Sequence, residues 1–247
     1  QLIDVFVNNK ILINLLRITP ITDTKIEKVL IYLRSEILLN LSSIKNKNYS
    51  FIMIKAIAEQ CFINEYIYSI RNEELKTIDE IENKIEDNLN NFNYKKYLIE
   101  ISCLAAYKPL IEYKFSDKLI HFTDLNDLIR QQIINIKVED KIKIKILSNK
   151  IKNSISLKVK EQYENYPYPR WNKIALNNKP RKAISYFDNL GLSYNKKFVK
   201  NWEKIEVLIA GCGTGQHAIT SASKYKDSFI TAIDLSAKSL SYAKRKA

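Results

Sequence analysis

The residues with the most chemistry in their spacing are Gly211, Cys212, Gly213, Thr214 and Gly215, a G-C-G-T-G turn, and Asp234, 23 positions beyond the first glycine. Glycine lets the backbone turn through positive φ and lets a ligand approach with no Cβ in the way. A helix opening at Gly215 or Gln216 aims free amides and a positive dipole end at whatever lies on the turn. An acid ending a second strand can accept hydrogen bonds from both hydroxyls of a ribose. The scarcity of glycine gives the turn weight. The chain holds 4 glycines in 247 residues, where about 7% is usual. The fourth, Gly191, reads as a helix end ahead of the sheet.

The elements that must position these residues are legible in the hydropathy. Val207 to Ala210 is a short continuous apolar run, the pattern of a strand buried on both faces. The segment after the turn reads as a helix with Ala218, Ile219 and Ala222 on its packed side. Phe229 to Ile233 is a second apolar run that ends at Asp234. Ser236 then caps a helix carrying Leu240, Tyr242 and Ala243. Strand, glycine turn, helix, strand, acid and helix together open a nucleotide-binding α/β sheet. A dinucleotide site prefers G-x-G-x-x-G. Its third glycine would fall at position 216, which is Gln216. The observed G-x-G-x-G suits S-adenosylmethionine, which has no phosphate and whose methionine carboxylate and adenosine pass over the turn.

On G-C-G-T-G and A-I-D-L-S, residues 205–247 resemble the class I S-adenosylmethionine-dependent methyltransferases. The resemblance implies a Rossmann-like sheet and S-adenosyl-L-methionine as cofactor, held by Gly211, Cys212, Gly213, Thr214, Gly215, Gln216, Asp234 and Leu235. It places the three glycines along the methionine part and Asp234 on the ribose. Residues that contact the methyl acceptor normally follow later strands, so no catalytic residue is assigned. One departure stands out: Ile209 occupies the position, two before the first glycine, where the family often carries an acid. That feature favours an alternative, a helical interaction scaffold with an inactive methyltransferase unit. An NAD-dependent oxidoreductase is a third reading, opposed by Gln216. Cys212 reads as a small loop residue and His217 as a surface group.

Upstream, Q-Y-E-N-Y-P-Y-P-R-W (Gln162–Trp171) forbids a continuing helix, because its two prolines favour extended backbone. Its aromatics, Tyr163, Tyr166, Tyr168 and Trp171, are too apolar for a solvated linker. Two readings stand: a strap packed between two domains, or a cover over a ligand pocket in which Tyr166 and Arg170 take part, Arg170 being available for a carboxylate. This motif, with A-E-Q-C-F-I-N-E-Y (Ala58–Tyr66), A-A-Y-K-P-L (Ala105–Leu110) and A-G-C-G-T-G-Q-H-A-I (Ala210–Ile219), is similar to bacterial proteins that carry tetratricopeptide repeats before a methyltransferase domain. That resemblance implies repeats before Gln1, more sheet after Ala247 and a possible protein partner through the repeats. A 247-residue piece of that kind is expected to expose strand edges and apolar surface and to bind the cofactor poorly by itself.

Residues 1–160 read as a helical domain, 161–204 as the strap with lead-in helices, and 205–247 as the first β-α-β-α of a truncated parallel sheet. T-K-I-E at Thr24–Glu27 has the form of a capping box, followed by a stripe of Ile26, Val29, Leu30, Leu33, Ile37, Leu38 and Leu41. Ser50 is a candidate cap for a helix carrying Ile54, Ile57, Ala58, Cys61 and Phe62. Further helices are predicted near 73–90 (Leu75, Ile78, Ile81, Ile85, Leu89), near 94–107 (Tyr94, Tyr97, Leu98, Ile101, Leu104, Ala105) and from Thr123–Asp124 (Leu125, Leu128, Ile129, Ile133). Residues 137–160, rich in lysine, read as a connecting helix. Glu59, Glu65, Glu73 and Glu74 read as solvated charges on helix faces, and His121 as a loop or packing residue. Nothing there has metal-ligand or nucleophile spacing, and the region lacks the 34-residue period of a plain tetratricopeptide array.

Composition bounds the rest. Hydrophobic residues make up 46% of the chain, which suits a globular protein. The net charge of +13 invites a nucleic-acid partner. Against it, 33 of the 40 basic residues are Lys, and Ile, Lys and Asn fill 95 of 247 positions, a skew of the whole chain. A protein or small-molecule methyl acceptor is therefore favoured over nucleic acid. Three cysteines without metal or redox spacing suit a reducing cytoplasm. No apolar run approaches the roughly 18 residues that span a bilayer, so no membrane contact is expected.

Overall fold

The computed structural model describes residues 2–44, 47–88, 94–146, 153–191, 193, 195 and 204–247. The fold is mostly helical, with one small parallel sheet of two strands among the described residues. Contacts divide the chain into a first unit, residues 1–138 with 169–172, and a second, residues 139–168 with 173–247. No helix among the described residues is long and apolar enough to cross a membrane.

The first unit contains α1 (Leu2–Asn8), α2 (Lys10–Leu16), α3 (Thr24–Leu39), α4 (Lys47–Ile63), α5 (Asn72–Asp87), α6 (Leu98–Leu104) and α7 (Asn126–Ile129). The last runs through a π turn, Arg130–Ile134, into α8 (Asn135–Lys143), which crosses the boundary between the units. Helix α4 is the hub, touching α1, α2, α3, α6 and α7. Its Met53, Ile54, Ala56, Ile57, Ala58 and Cys61 have no exposed surface, as expected of a helix that is apolar nearly all round. Gln132 in the π turn donates to the carbonyls of Ala58 and Ala105 and accepts from the Leu110 amide, tying three segments together at depth.

Several local expectations change. The cap of α3 is Asp23, one residue before Thr24; its carboxylate accepts from the amides of Lys25 and Ile26 at 2.9 and 3.0 Å. A carboxylate meets the positive end of a helix better than a hydroxyl does. Ser50 lies inside α4 and is buried rather than capping it. Leu75 is exposed, while Ile78, Ile81 and Ile85 carry the packed stripe of α5; Leu89 lies outside the described residues. The segment 94–107 is a 3-10 turn (Tyr94–Tyr97) leading into the shorter α6.

Glu59 and Glu74 are not solvated. They are 4% and 1% exposed. Glu74 accepts from the Tyr107 hydroxyl at 2.6 Å and lies 3.8 Å from Arg34. That arginine is wholly buried, donates to the Ser69 carbonyl at 2.6 Å and lies over the Tyr107 ring. A buried cation needs such a set of partners.

In the second unit the lysine-rich stretch is two helices rather than one. Helix α8 ends at Lys143, and α9 (Ser154–Asn165) starts on the Asn153 cap; residues 147–152 lie outside the described part. Then follow α10 (Ala183–Asn189), β1 (Ile205–Ala210), α11 (Gln216–Lys224), β2 (Ser228–Ile233) and α12 (Ala237–Lys246). Gly191, at φ +62°, closes α10 with its amide on the Asp188 carbonyl. Strands β1 and β2 are parallel, with Ile205 opposite Ser228 and Ala210 opposite Ile233.

Among the described residues only one face of this sheet is covered. Val207, Ile209, Ile230 and Ala232 pack with Ala218 of α11 and Leu240 of α12. The opposite face leaves Leu208 65%, Phe229 68% and Ile233 49% exposed. The expectation of burial on both faces therefore fails, and the expected apolar exposure is found. Ala222, expected on the packed side of α11, is exposed; Ser221 is buried instead.

Candidate functional site

Parallel register brings the carboxyl ends of β1 and β2 side by side, so Gly211 and Asp234 leave the sheet as neighbours. The amides of Gly211 and Cys212 both donate to the Ile233 carbonyl, at 2.9 and 3.1 Å, which prolongs the pairing into the turn. One Asp234 carboxylate oxygen accepts from the Gly213 amide at 2.8 Å, the other from the Ser236 amide at 2.9 Å. Each oxygen has capacity for a further donor. The acid thus fixes the shape of the glycine turn and remains half-buried at its rim.

All three glycines of the turn have positive φ: +70° at Gly211, +52° at Gly213 and +83° at Gly215. They serve different ends. A Cβ on Gly211 would meet nothing within 4 Å, and one on Gly213 only the Tyr168 carbonyl oxygen at 4.0 Å. Those two leave space for a ligand. A Cβ on Gly215 would lie 2.5 Å from the Cβ of Ala243. Gly215 is buried and lets α12 pack close to the start of α11. Its place is against a helix, where the resemblance put it along the methionine part.

Thr214 and Cys212 are buried, whereas Gln216, His217 and Leu235 are exposed. Burial, with the Asp234 charge, raises the Cys212 thiol pKa. That keeps it protonated and unsuited to nucleophilic work. The first amides of α11 lack partners within the helix and follow directly on Gly215, which holds its N-cap position.

Ser236 caps α12: its hydroxyl accepts from the Ser239 amide at 3.0 Å and donates to the Tyr163 carbonyl at 3.0 Å. Glu164 accepts from the Lys238 amide at 3.2 Å and pairs with Lys143 at 2.5 Å. Arg245 pairs with the buried Glu139 at 2.6 Å. The Ser236 cap was expected from the sequence; the bonds of Ser236 to Tyr163, Glu164 to Lys238 and Lys143, and Arg245 to Glu139 were missed, because each joins residues far apart that no local pattern relates.

The two residues named as pocket covers part company. Tyr166 is exposed, at 59%. Arg170 is 5% exposed; its guanidinium pairs with Glu65 and lies 4.2 Å from the centre of the Phe62 ring. Its charge is already matched, so it is not held free for a ligand carboxylate. The residue that reaches the glycine turn is Tyr168, through its carbonyl. Among the described residues no group of three or more His, Cys, Asp or Glu could hold a metal ion. Compared with known proteins, the chain matches no family model, no curated protein and no solved structure.

Proposed function

We propose that the second unit carries an S-adenosylmethionine site and that the protein is a methyltransferase for a protein or small-molecule acceptor. The observation that carries the reading is the bond between the Gly213 amide and Asp234: an acid ending β2 braces a glycine turn that ends β1. The donor set fits the group. A Cβ on Gly211 or Gly213 would meet nothing closer than 4.0 Å, so a ligand can approach the backbone there, and Asp234 keeps acceptor capacity on both oxygens for vicinal ribose hydroxyls. Leu235 offers exposed apolar surface beside that acid for a purine ring.

When bound, the cofactor supplies an activated methyl group on a sulfonium. The chain's part is to bind and orient: the glycine turn receives the amino-acid end, Asp234 fixes the ribose, and the α11 amides favour a carboxylate. No base is assigned among residues 205–247.

A scaffold with an inactive unit is the second reading, and Ile209 favours it. That side chain is 8% exposed and belongs to the apolar cluster on the covered face of the sheet, so it offers a ligand no charge. A thermal-shift series on the intact protein separates the two. S-adenosylmethionine and S-adenosylhomocysteine at saturating concentration should each raise the melting temperature by a few degrees, and NAD should not. No shift with either would leave the scaffold.

A further inference from the structure

Helix α9 has no buried residue, so apolar burial does not hold it in place. It packs on α12, and what it brings there is polar and comes from its last turn. Glu164 accepts from the Lys238 amide at 3.2 Å, and the Lys238 ammonium reaches the Asn165 carbonyl at 3.5 Å. The Tyr163 carbonyl accepts from the Ser236 hydroxyl at 3.0 Å. All of these residues belong to the second unit.

The head of α12 follows directly on the acid of the site. A helix start leaves its first amides without partners inside the helix. Here Ser236 serves the Ser239 amide at 3.0 Å and Glu164 serves the Lys238 amide, which puts a carboxylate at the positive end of the helix. Lys143 pairs with that carboxylate at 2.5 Å. Burial pushes the Glu164 carboxyl up, but the bonds from Lys143 and from the amides of Lys238 and Ala237 outweigh it and hold the pKa below the ordinary carboxylate value. Between this fastening and the site stands Ser236, whose amide donates to one Asp234 oxygen at 2.9 Å; the Gly213 amide donates to the other at 2.8 Å. Asp234 to Lys238 is thus one short stretch of chain, held by hydrogen bonds at both ends.

We infer that Glu164, steadied by Lys143, is a positioning residue for Asp234, and through it for discrimination between ribose and deoxyribose in a bound nucleoside. Removing the Glu164 carboxylate takes the acceptor from the Lys238 amide and lets the head of α12 shift. Ser236 shifts with it, and its amide no longer holds the first Asp234 oxygen where a ligand hydroxyl must meet it. A hydrogen bond to a charged group is strong and directional. A small rotation of the Asp234 carboxylate therefore weakens the bond to a hydroxyl more than the contacts made by the rest of a ligand. In naming the ribose the inference rests on the S-adenosylmethionine reading; the link from Glu164 to Asp234 does not.

The test uses the intact protein with Glu164→Ala, Lys143→Met, the double variant and the milder Glu164→Gln, which keeps an acceptor but no charge. One readout is the ratio of affinities for S-adenosylhomocysteine and its deoxyribose analogue, which a general loss of stability leaves alone. The other is amide hydrogen exchange at Gly213 and Ser236, both bonded to Asp234, compared with Gly211 and Cys212, both bonded to the Ile233 carbonyl. Wild type should prefer the ribose form by about tenfold, the worth of one hydrogen bond to a charged group. Glu164→Ala should cut that preference to about threefold or less and speed exchange at Gly213 and Ser236 alone, with Glu164→Gln and Lys143→Met between. The double variant should be no worse than Glu164→Ala, as members of one device require. If Glu164→Ala does not fold, the comparison of wild type with Glu164→Gln decides. An unchanged preference, or exchange that rises equally at Gly211 and Cys212, would overturn the inference. If wild type binds neither ligand yet Gly213 and Ser236 alone loosen in the variants, the link to Asp234 stands and the cofactor reading fails.

Discussion

At the scale of single residues, the three glycines of the turn look equivalent in sequence and are not equivalent in space. Gly211 faces open space, Gly213 faces the Tyr168 carbonyl, and Gly215 faces the Cβ of Ala243 at 2.5 Å. A side chain at positive φ costs about 1–2 kcal/mol at any of them. Overpacking at Gly215 adds about 1–3 kcal/mol, because the atoms it meets include helix backbone that cannot swing away. Gly215→Ala should therefore lower stability by roughly twice as much as Gly211→Ala in denaturant titration, with α12 loosened. Gly211→Ala should instead act mainly on ligand affinity. Equal losses of stability would mean that α12 does not pack on the turn as described. Cys61 and Cys103 illustrate the same scale. Both are wholly buried, and burial pushes the Cys61 thiol up to about 11, so neither supplies a thiolate at neutral pH.

At the scale of elements, helix periodicity was readable wherever a helix keeps one face on the core and another in solvent. The stripe of α3 and the run Leu125, Leu128, Ile129, Ile133 are buried much as their spacing requires, and α5 buries Ile78, Ile81 and Ile85 while leaving Leu75 exposed. What could not be read was α4. A central helix packs on every side, so its acid Glu59 looked like a surface charge in sequence and is 4% exposed. Its partner Arg17, at 3.5 Å, comes from the end of α2, and the like charge of Asp127 from α7. Within the site, strand, turn, acid and cap were all legible, because each is a local pattern. The nearness of the Tyr168 carbonyl to Gly213 was not, since it depends on how distant segments of the second unit meet.

The burial of Glu59 has a pH signature. Desolvation pushes its carboxyl up from 4.5 to about 7, with Arg17 pulling the other way. The unfolded chain thus releases this proton first, and stability falls as pH rises from about 4.5 to about 7. Above that range the full cost remains, on the order of 3 kcal/mol. Glu59→Gln removes the charge and should unfold at higher denaturant concentration than wild type at pH 8.5, with the advantage gone near pH 4.5. Parallel stability profiles for the two proteins would show that Glu59 is not desolvated.

At the scale of the whole molecule, the helical unit and the sheet unit differ in how finished their surfaces are. The first has one continuous apolar core drawn from α2 through the π turn. The second has a small cluster on one side of two strands and an open apolar face on the other. Its order comes instead from polar fastenings: Asp234 in the turn, Ser236 at the head of α12, Glu164 and Lys143 on α9 and α8, and Glu139 with Arg245. Such fastenings hold one arrangement of the turn without adding much apolar burial.

The proposed S-adenosylmethionine site stands or falls with Asp234 and the glycine turn. Calorimetric titration of the intact protein with S-adenosylmethionine, for wild type and Asp234→Asn, tests it most directly. Asparagine keeps one acceptor oxygen but loses the charge and the second acceptor, so wild type should bind one-to-one and the variant at least tenfold more weakly, with both proteins folded. No heat of binding to wild type, or equal affinity in the two, would contradict it.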